Sequence, residues 1–460
     1  MTRILVLKLV GLLLLFGFLL LMSYLFPTSQ TIVQGSAVIV LAIFLWSTAL
    51  VPSALGALIF LFASVLLSVA PPETIFSGFQ AGATWLVFGG LVLGLGVKSS
   101  GLDTRLINRL LKKFPTSYTG IVYGTFLSSF LLSWIIPSSS ARVALLVPIA
   151  ISLANRLGFS DNSKGRSGLI LASAIGTMTP AFGILPSNVP NMALFGAIES
   201  IHEIRLTYGE YFILNFPIMG LGSLIVYPLV ISHLFKENPK IIKNEESPSS
   251  WNSKEKRICL ILVLAILCWI TDTIHGISPG WVALGAAIIC LMPGMGILPA
   301  NALAKELDYG PIIFVAGIIG LGSVATYTGI GALVAKYLLY IVNLDGMLDA
   351  SLFSILVMLS TIVGLLSTMP AQPAIIVSMA SELSAATGWS LQSVFMVPVI
   401  SWSIFPFFYQ APPIVLAVAI GNLSVWSVTR MLVFYMIICT IFLLPLHFMW
   451  GQTLGYFKSL

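Results

Sequence analysis

The stretch 84–102, TWLVFGGLVLGLGVKSSGL, is matched later in the chain by the stretch 311–330, PIIFVAGIIGLGSVATYTGI. Each opens with bulky apolar residues, continues through a glycine-rich apolar run and ends on a hydroxyl residue followed by glycine. Gly89 and Gly317 hold the same place in the two stretches, 228 residues apart. Each stretch is followed by an amphipathic segment, then a hairpin candidate, then an interrupted apolar span. Four elements in the same order predict an internal repeat.

The composition places this repeat in a membrane. Of the 460 residues, 58% are hydrophobic and 8% are charged, and the mean hydropathy is +1.03. Because a soluble domain carries about 25% charged residues, a soluble enzyme, a secreted disulfide scaffold and a nucleic-acid partner are excluded. The four cysteines lie in apolar runs without CxxC spacing, so they indicate neither a disulfide framework nor a zinc site. We expect a polytopic integral membrane protein in contact with lipid.

About 20 apolar residues cross the hydrocarbon core as a helix, and eleven runs meet this requirement. The predicted spans are 4–26, 32–50, 53–70, 83–100, 168–198, 208–234, 258–275, 279–297, 310–328, 389–422 and 430–450, of which 168–198 and 389–422 are interrupted. The segments 118–157 and 352–386 are each about twice too long for one helix. Both carry polar residues and proline at the middle, which predicts hairpins.

Basic residues orient the predicted spans. The clusters at 105–113, 156–166 and 236–257 all lie on the cytoplasmic side if the N-terminus is cytoplasmic. This holds only if each hairpin enters and leaves on one side of the membrane, so both are predicted to be re-entrant. The first repeat then starts outside and the second inside, which is an inverted topology.

The predicted organisation has four parts. They are an N-terminal transmembrane helix at 1–30, a first inverted repeat at 31–234 with hairpin 118–157 and broken helix 168–198, a cytoplasmic linker at 235–257, and a second inverted repeat at 258–460 with hairpin 352–386 and broken helix 389–422. Inverted repeats with broken helices are typical of secondary transporters, which bind substrate near the membrane midplane. Unwound backbone at that depth is tolerated where it lines a cavity or lies inside protein.

The first hairpin turns at 134–142, WIIPSSSAR. Pro137 ends the incoming helix, and the three serines can cap the outgoing helix or offer hydroxyls to a ligand. Arg142 would lie deep among apolar helices with no acid nearby in sequence, which is costly unless the charge is paired. We expect Arg142 to face the substrate cavity and bind an anion. Pairing with a distant carbonyl or extension to the cytoplasmic interface is the alternative.

The two interrupted spans break at proline-rich segments. The first contains Pro180, Pro186 and Pro190, and its Ser187 and Asn188 offer neutral oxygens suited to Na⁺. The second breaks at 403–413, after a second hairpin turn at 366–373. A kinked but continuous span is the alternative at the first break. The aromatic residues of the second break line a cavity or face lipid.

At these residues the chain resembles the divalent anion:sodium symporter family of citrate, dicarboxylate and sulfate carriers. The motifs that carry the resemblance are GF…TWLVFGG…SSGL in 78–102, PSSSAR in 137–142, which is similar to the PSNTAR of the family's bacterial exchangers, and SAIGTMTP…PSNVPN in 173–191. In that family, Ser-Asn-Thr motifs at the hairpin tips bind substrate carboxylate. The tips and the broken spans form two sodium sites.

Carried over to this chain, the resemblance completes the candidate site. The substrate-binding residues are Ser138, Ser139, Ser140, Arg142, Ser367, Thr368 and Gln372. The cation-binding residues are Ser138, Ser139, Ser187, Asn188 and Gln410. Of Ser-Asn-Thr only Ser138 is kept at the first tip, and none remains at the second.

The predicted function is secondary active transport of a small anion, either a di- or tricarboxylate or a sulfate or sulfonate. We expect transport of the anion either to be coupled to Na⁺ or to proceed by anion exchange. A carrier of a more hydrophobic anion and a transport-inactive scaffold of the same fold are the alternatives. An enzyme is not expected, because HExxH, Ser-His pairing and an acidic cluster are absent from the sequence. The sequence also lacks the GxxxxGK[ST] loop that binds ATP, which excludes primary active transport by this chain alone. No cofactor is expected beyond possible Na⁺. The resemblance implies a homodimer in a bacterial inner membrane.

Overall fold

The computed structural model describes residues 17, 30–48, 50–102, 105, 116–134, 136, 138–239, 250–342, 344 and 346–459. Within these residues every regular element is helical, which confirms the all-α membrane fold. The predicted first span, 4–26, lies outside them apart from Gly17. In the part of the chain that the structure describes, five helices are long and apolar enough to cross a membrane, and six apolar helices are shorter, at 10–17 residues.

The described residues of the first half form eight main helices. They are α1 (Gln30–Thr48), α2 (Ser53–Leu66), α3 (Gly82–Ser100), α4 (Tyr118–Leu131), α5 (Ser139–Arg156), α6 (Lys164–Gly176), α7 (Val189–His202) and α8 (Tyr208–Leu234). Short helical turns lie at Pro72–Ile75, Ser77–Gln80, Leu132–Trp134, Pro180–Gly183 and Leu185–Ser187, and a π turn at Phe216–Gly220 interrupts α8.

The second half repeats this order. Its helices are α9 (Ser253–Ile270), α10 (Pro279–Leu291), α11 (Gly310–Tyr327), α12 (Ile330–Ile341), α13 (Asp349–Leu366), α14 (Gln372–Ser378), α15 (Ala380–Thr387), α16 (Leu391–Ser401), α17 (Pro412–Gly421) and α18 (Val425–Thr453). Short turns lie at Asp272–His275, Pro293–Met295, Ala302–Lys305 and Phe408–Gln410, and a π turn at Cys439–Leu443 interrupts α18.

The matched glycines mark where the halves pack on each other. Helix α10 packs on α3, and α2 packs on α11, so each half lays its second helix on the other half's third. A Cβ added at Gly89 would lie 2.5 Å from the backbone of Ala283, and one at Gly317 would lie 2.5 Å from Cβ of Ala57. Since real Cβ atoms do not approach so closely, only glycine allows both crossings. This reciprocal exchange is what a pseudo-two-fold axis between two repeats produces.

The helices that follow the hairpin tips and the breaks also pack across the two halves. Helix α5, which follows the first hairpin tip, packs on α17, which follows the second break. Helix α14, which follows the second tip, packs on α7, which follows the first break. The tips and breaks of both halves therefore meet in the middle of the molecule. The orientation of each half in the membrane stays a prediction.

The second half begins earlier than the sequence pattern predicts. Helix α9 starts at Ser253, inside the predicted linker, because Asn252 and Glu255 form a capping box. The carboxylate of Glu255 also pairs with Nε of Arg105 at 2.7 Å, and both side chains are nearly buried. This part of the linker is thus fixed to the end of the first half's α3 region. Residues 240–249 of the linker lie outside the described residues.

Candidate functional site

A cavity of about 930 Å³ lies where the tips and breaks meet. Its buried inner wall includes Ser138, Ser139, Met178, Phe182, Asn188, Met369 and Ala411. Its outer lining includes the exposed residues Lys98, Glu306 and Asp308. Cavities of about 300–1,000 Å³ hold small-molecule ligands, so the space suits a small solute.

The first hairpin tip presents serine hydroxyls to this cavity. Helix α4 runs into the turn Leu132–Trp134, and α5 begins at Ser139. The Oγ of Ser138 accepts a hydrogen bond from the N–H of Ala141 at 3.3 Å, so Ser138 caps α5 as predicted. Ser138, Ser139 and Ser140 all line the cavity. Pro137 lies outside the described residues.

The first broken span is interrupted rather than kinked. Helix α6 ends at Gly176, two short turns follow, and α7 begins at Val189. The Oγ of Ser187 donates to the carbonyl of Ser133 at 2.8 Å, which joins the break to the hairpin. Asn191 holds the turns by donating Nδ2 hydrogen bonds to carbonyls of Ala181, Phe182 and Ile184. The sequence reasoning missed this residue, whose signal was its position directly after the third proline of the break.

Arg142 does not line the cavity, contrary to the predicted placement, and its predicted role in anion binding stays a prediction. Its side chain is 0% exposed. The guanidinium donates to the carbonyls of Ile136, Thr177 and Ser187, the last at 3.0 Å, to Oγ of Ser139 at 3.1 Å and to Oδ1 of Asn188 at 3.0 Å. The physical reason is that broken helices leave carbonyls without intrahelical partners. These carbonyls, together with two side-chain oxygens, accept hydrogen bonds from Nη1 and Nη2, but none of the five groups is an anion that neutralises the charge.

Three of the five predicted cation ligands, Ser139, Ser187 and Asn188, meet around this guanidinium. Ser139 Oγ donates to Asn188 Oδ1, and both oxygens also accept from Arg142. Ser187 contributes its backbone oxygen, since its hydroxyl is used by Ser133. Ser138 lies on the cavity side instead. Neutral oxygens that suit a cation therefore surround a positive side chain in this structure.

The second tip has a neutral counterpart of Arg142. Gln372 follows Ala371 in the first turn of α14, as Arg142 follows Ala141 in the first turn of α5. Nε2 of Gln372 donates to the carbonyl and Oγ of Ser360, the latter at 2.9 Å, and to Oγ of Ser401 at 2.8 Å. Ser401 ends α16 just as Thr177 follows α6. Each tip is thus tied to the break of its own half by a side chain in the first turn of the helix that follows it.

The predicted second-half ligands Ser367, Thr368 and Gln372 lie outside the cavity lining, and their predicted substrate-binding role stays a prediction. Oγ of Ser367 donates to the carbonyl of Val363 at 2.7 Å, and Thr368 is buried. Met369 and Pro370 line the cavity in their place. The second tip turns immediately after α13 ends. The polar side chains of the tip therefore point back into the protein.

Gln410 makes hydrogen bonds that hold the second break to the second tip, and it does not line the cavity. Its Oε1 accepts from the N–H of Phe407 at 3.2 Å, and its carbonyl accepts from the N–H of Met369 at 3.3 Å. The neighbouring rings of Phe407 and Tyr409 stack at 5.7 Å and are exposed, away from the cavity lining. Of the two alternatives for these aromatic residues, the outward-facing one fits their position.

Comparison with known proteins gives this architecture a context. Residues 5–457 match the family described as "Sodium:sulfate symporter transmembrane region". The inner membrane protein YbhI of Escherichia coli K12 is 27% identical over 261 residues, which are 54% of this chain and 54% of that protein. The L-tartrate/succinate antiporter of the same organism is 25% identical over 273 residues, 55% of this chain and 54% of that protein. The matched region spans about half the length of these relatives.

Solved structures share the fold. The YdaH transporter of Alcanivorax borkumensis has a TM-score of 0.53 and 14% identity, over 87% of this chain and 90% of that one. MtrF of Neisseria gonorrhoeae, described with a class of antimetabolite efflux pumps, has a TM-score of 0.53 and 15% identity, over 85% and 84%. At these identities the likeness concerns the fold alone. The matched family is one of membrane symporters, which confirms the prediction of a transporter rather than an enzyme.

Proposed function

The chain belongs to the sodium:sulfate symporter family, and from this membership and the geometry of the site we propose that it is a secondary transporter of a small anion that works by exchange. The cavity lies at two broken helices, where transporters of inverted-repeat architecture bind substrate. Ser138 and Ser140 line it beside the N-terminus of α5. A helix N-terminus carries about half a unit of positive charge, which favours an anion.

The observation that carries exchange is the set of oxygens around Arg142. The five oxygens that the described residues bring to it are three carbonyls, one hydroxyl and one amide oxygen. Unwound carbonyls and helix ends of this kind coordinate Na⁺ in transporters. Here a covalently attached charge occupies the place. It cannot dissociate after each cycle, so it supplies positive charge without moving a cation across the membrane.

The state of the carrier follows from the predicted orientation. Lys98, at the end of α3, lies at the outer part of the cavity lining, as do Glu306 and Asp308 before α11. The charge pattern places both helix ends on the cytoplasmic side. In this proposal the structure is the inward-facing state, in a bacterial inner membrane with a cytoplasmic N-terminus.

Counterflow in proteoliposomes tests the proposal. Vesicles with the purified protein are loaded with unlabelled succinate, sulfate or a monocarboxylate and then given the labelled anion, in Na⁺ or in choline buffer. We expect uptake that needs internal anion and is equal in both buffers. The double variant Ser138→Ala/Ser140→Ala should lose at least ten-fold in rate, while Ser354→Ala, on the exposed side of α13, should match the parent.

Two results would contradict the proposal in different ways. Uptake that requires an inward Na⁺ gradient would support symport and refute exchange. A folded protein that neither moves nor binds any anion of the panel would support the scaffold alternative. The predicted homodimer is measured separately, by light scattering of the same detergent-purified sample.

A further inference from the structure

The two walls of the cavity differ in their chemistry. Resting on the proposed transport function, we infer that the substrate is a monoanion with an apolar body, a single carboxylate or sulfonate on an aliphatic or aromatic chain, rather than a dicarboxylate. The polar donors of the cavity come from the first half of the chain. The inner wall from the second half, at its tip and break, is formed by Met369, Pro370, Ala411, Pro412 and Pro413.

The first wall can bind one anionic group. The hydroxyl hydrogens of Ser138 and Ser140 are available for donation, since Ser138 Oγ acts as an acceptor from Ala141. The first N–H groups of α5 have no intrahelical partner because they begin the helix. The guanidinium of Arg142 lies next to the tip, with its Nη2 at 3.1 Å from Oγ of Ser139. A carboxylate or sulfonate at this tip therefore meets hydroxyls, N–H groups and a nearby positive charge together.

The second wall offers no donor to a second anionic group. Its three prolines have no N–H. The N–H of Met369 donates to the carbonyl of Gln410 at 3.3 Å, and the N–H of Ala411 donates to the carbonyl of Phe408 at 3.3 Å. The side chains of all five residues are apolar. A second carboxylate placed here would lose its hydration without gaining hydrogen bonds, which is strongly unfavourable.

The outer part of the cavity does not accept a second anionic group either. Two carboxylates, of Glu306 and Asp308, line it together with one ammonium, of Lys98. Asp308 is held in place, since its Oδ1 accepts from the N–H of Gly310 at 2.9 Å. A negative group that points outward from the tip thus meets a surplus of negative charge. An apolar body that extends from the tip over Met369 and Pro413 avoids both penalties.

Hexanoate and adipate form the matched pair for the test, because they have the same carbon chain and differ by one terminal carboxylate. Binding is measured by thermal shift of the full chain in detergent, and exchange by counterflow. We expect hexanoate and hexanesulfonate to stabilise and exchange, and adipate to bind at least ten-fold more weakly. From butyrate to hexanoate, affinity should rise about four-fold per methylene, the equivalent of about 0.8 kcal/mol for each buried CH₂.

A variant of the apolar wall sharpens the test. Met369→Asn adds an amide donor there and should raise the ratio of adipate to hexanoate affinity at least five-fold, while Met292→Asn, exposed and outside the cavity lining, should leave it unchanged. Adipate binding as tightly as hexanoate in the parent would overturn the inference and leave the transport function standing. An unchanged ratio in a folded Met369→Asn would also overturn it. If no anion of any class binds, the proposed function itself fails.

Discussion

Replacing Arg142 by alanine should convert the centre of the first half into a sodium site. The substitution removes the guanidinium and leaves its five oxygen partners behind, among them the carbonyls of Thr177 and Ser187 and Oδ1 of Asn188. Oxygens at unwound helix ends are the ligands that transporters use for Na⁺. The parent should show no response to Na⁺, and the variant should be stabilised by it.

The expected size of the effect follows from the hydrogen bonds that the substitution removes. Three buried carbonyls lose a charged donor, and each unsatisfied group costs at least about 1 kcal/mol. In choline buffer the variant should therefore be less stable than the parent by about 3 kcal/mol. A sodium site with a Kd of about 10 mM stabilises the folded variant by about 1.4 kcal/mol at about 100 mM Na⁺. In a chain of this length that corresponds to a rise in Tm of about 2 °C.

Thermal unfolding of the purified protein, compared in NaCl and choline chloride at equal ionic strength, measures both effects. Arg142→Lys is the matched control, since it keeps a positive charge but not the planar fork. It should lose stability and gain nothing from Na⁺. Arg205→Ala, an exposed arginine on the loop after α7, should change neither quantity.

Three results would refute the reasoning. Equal stability of Arg142→Ala and the parent in choline would mean that the guanidinium does not hold the tip to the break. A destabilised variant that ignores Na⁺ would mean that the oxygens do not form a cation site. A parent that is itself stabilised by Na⁺ at similar concentrations would place the coupling ion elsewhere and remove the main support for exchange.

Three further substitutions test the packing. Gly89→Ala should cost about 1–3 kcal/mol by overpacking the crossing of the two halves, measured as a lower Tm, whereas Gly285→Ala, with nothing within 4 Å of its added Cβ, should be neutral. Gln372→Leu should cost about 1 kcal/mol, because it removes the Nε2 hydrogen bonds to Ser360 and Ser401, and should increase proteolysis at the second tip. Glu255→Gln should lower Tm, because it removes one charge from the nearly buried ion pair with Arg105, a loss of about 3 kcal/mol. Since a buried pair is screened little by salt, high salt should not lower the Tm of the parent in the same way.

The fold was accessible from the sequence because its signals are local and repeated. Gly89 and Gly317 recur at one spacing because each lies under a helix of the other half, where no side chain fits. The prolines of the first break predict its position because none of them can continue a helix. Apolar runs predict helices at membrane depth, since only helices satisfy the backbone there.

The side-chain network of the site was not accessible in the same way. The partners of Arg142 are mainly backbone carbonyls, and a carbonyl leaves no mark on the residue pattern. The lack of an acid nearby in sequence therefore pointed to an anionic ligand instead. Gln372 shows the same limit, because its partners Ser360 and Ser401 lie on helices that only the folded hairpin and break bring together. The start of α9 was missed because an apolar pattern does not include a polar cap.

The proposed exchange and the inferred singly charged substrate both rest on one feature, the fixed charge of Arg142 near the first tip and the neutral Gln372 near the second. None of the acceptors that the described residues bring to Arg142 is a carboxylate. With its substrate site empty, the core carries an uncompensated positive charge through the low-dielectric interior when it changes state, which is unfavourable. A bound monoanion neutralises that charge, so the loaded carrier can reorient in both directions and the empty one is held back. A dianion would replace one uncompensated charge by another of opposite sign, and the second half provides no group to balance it.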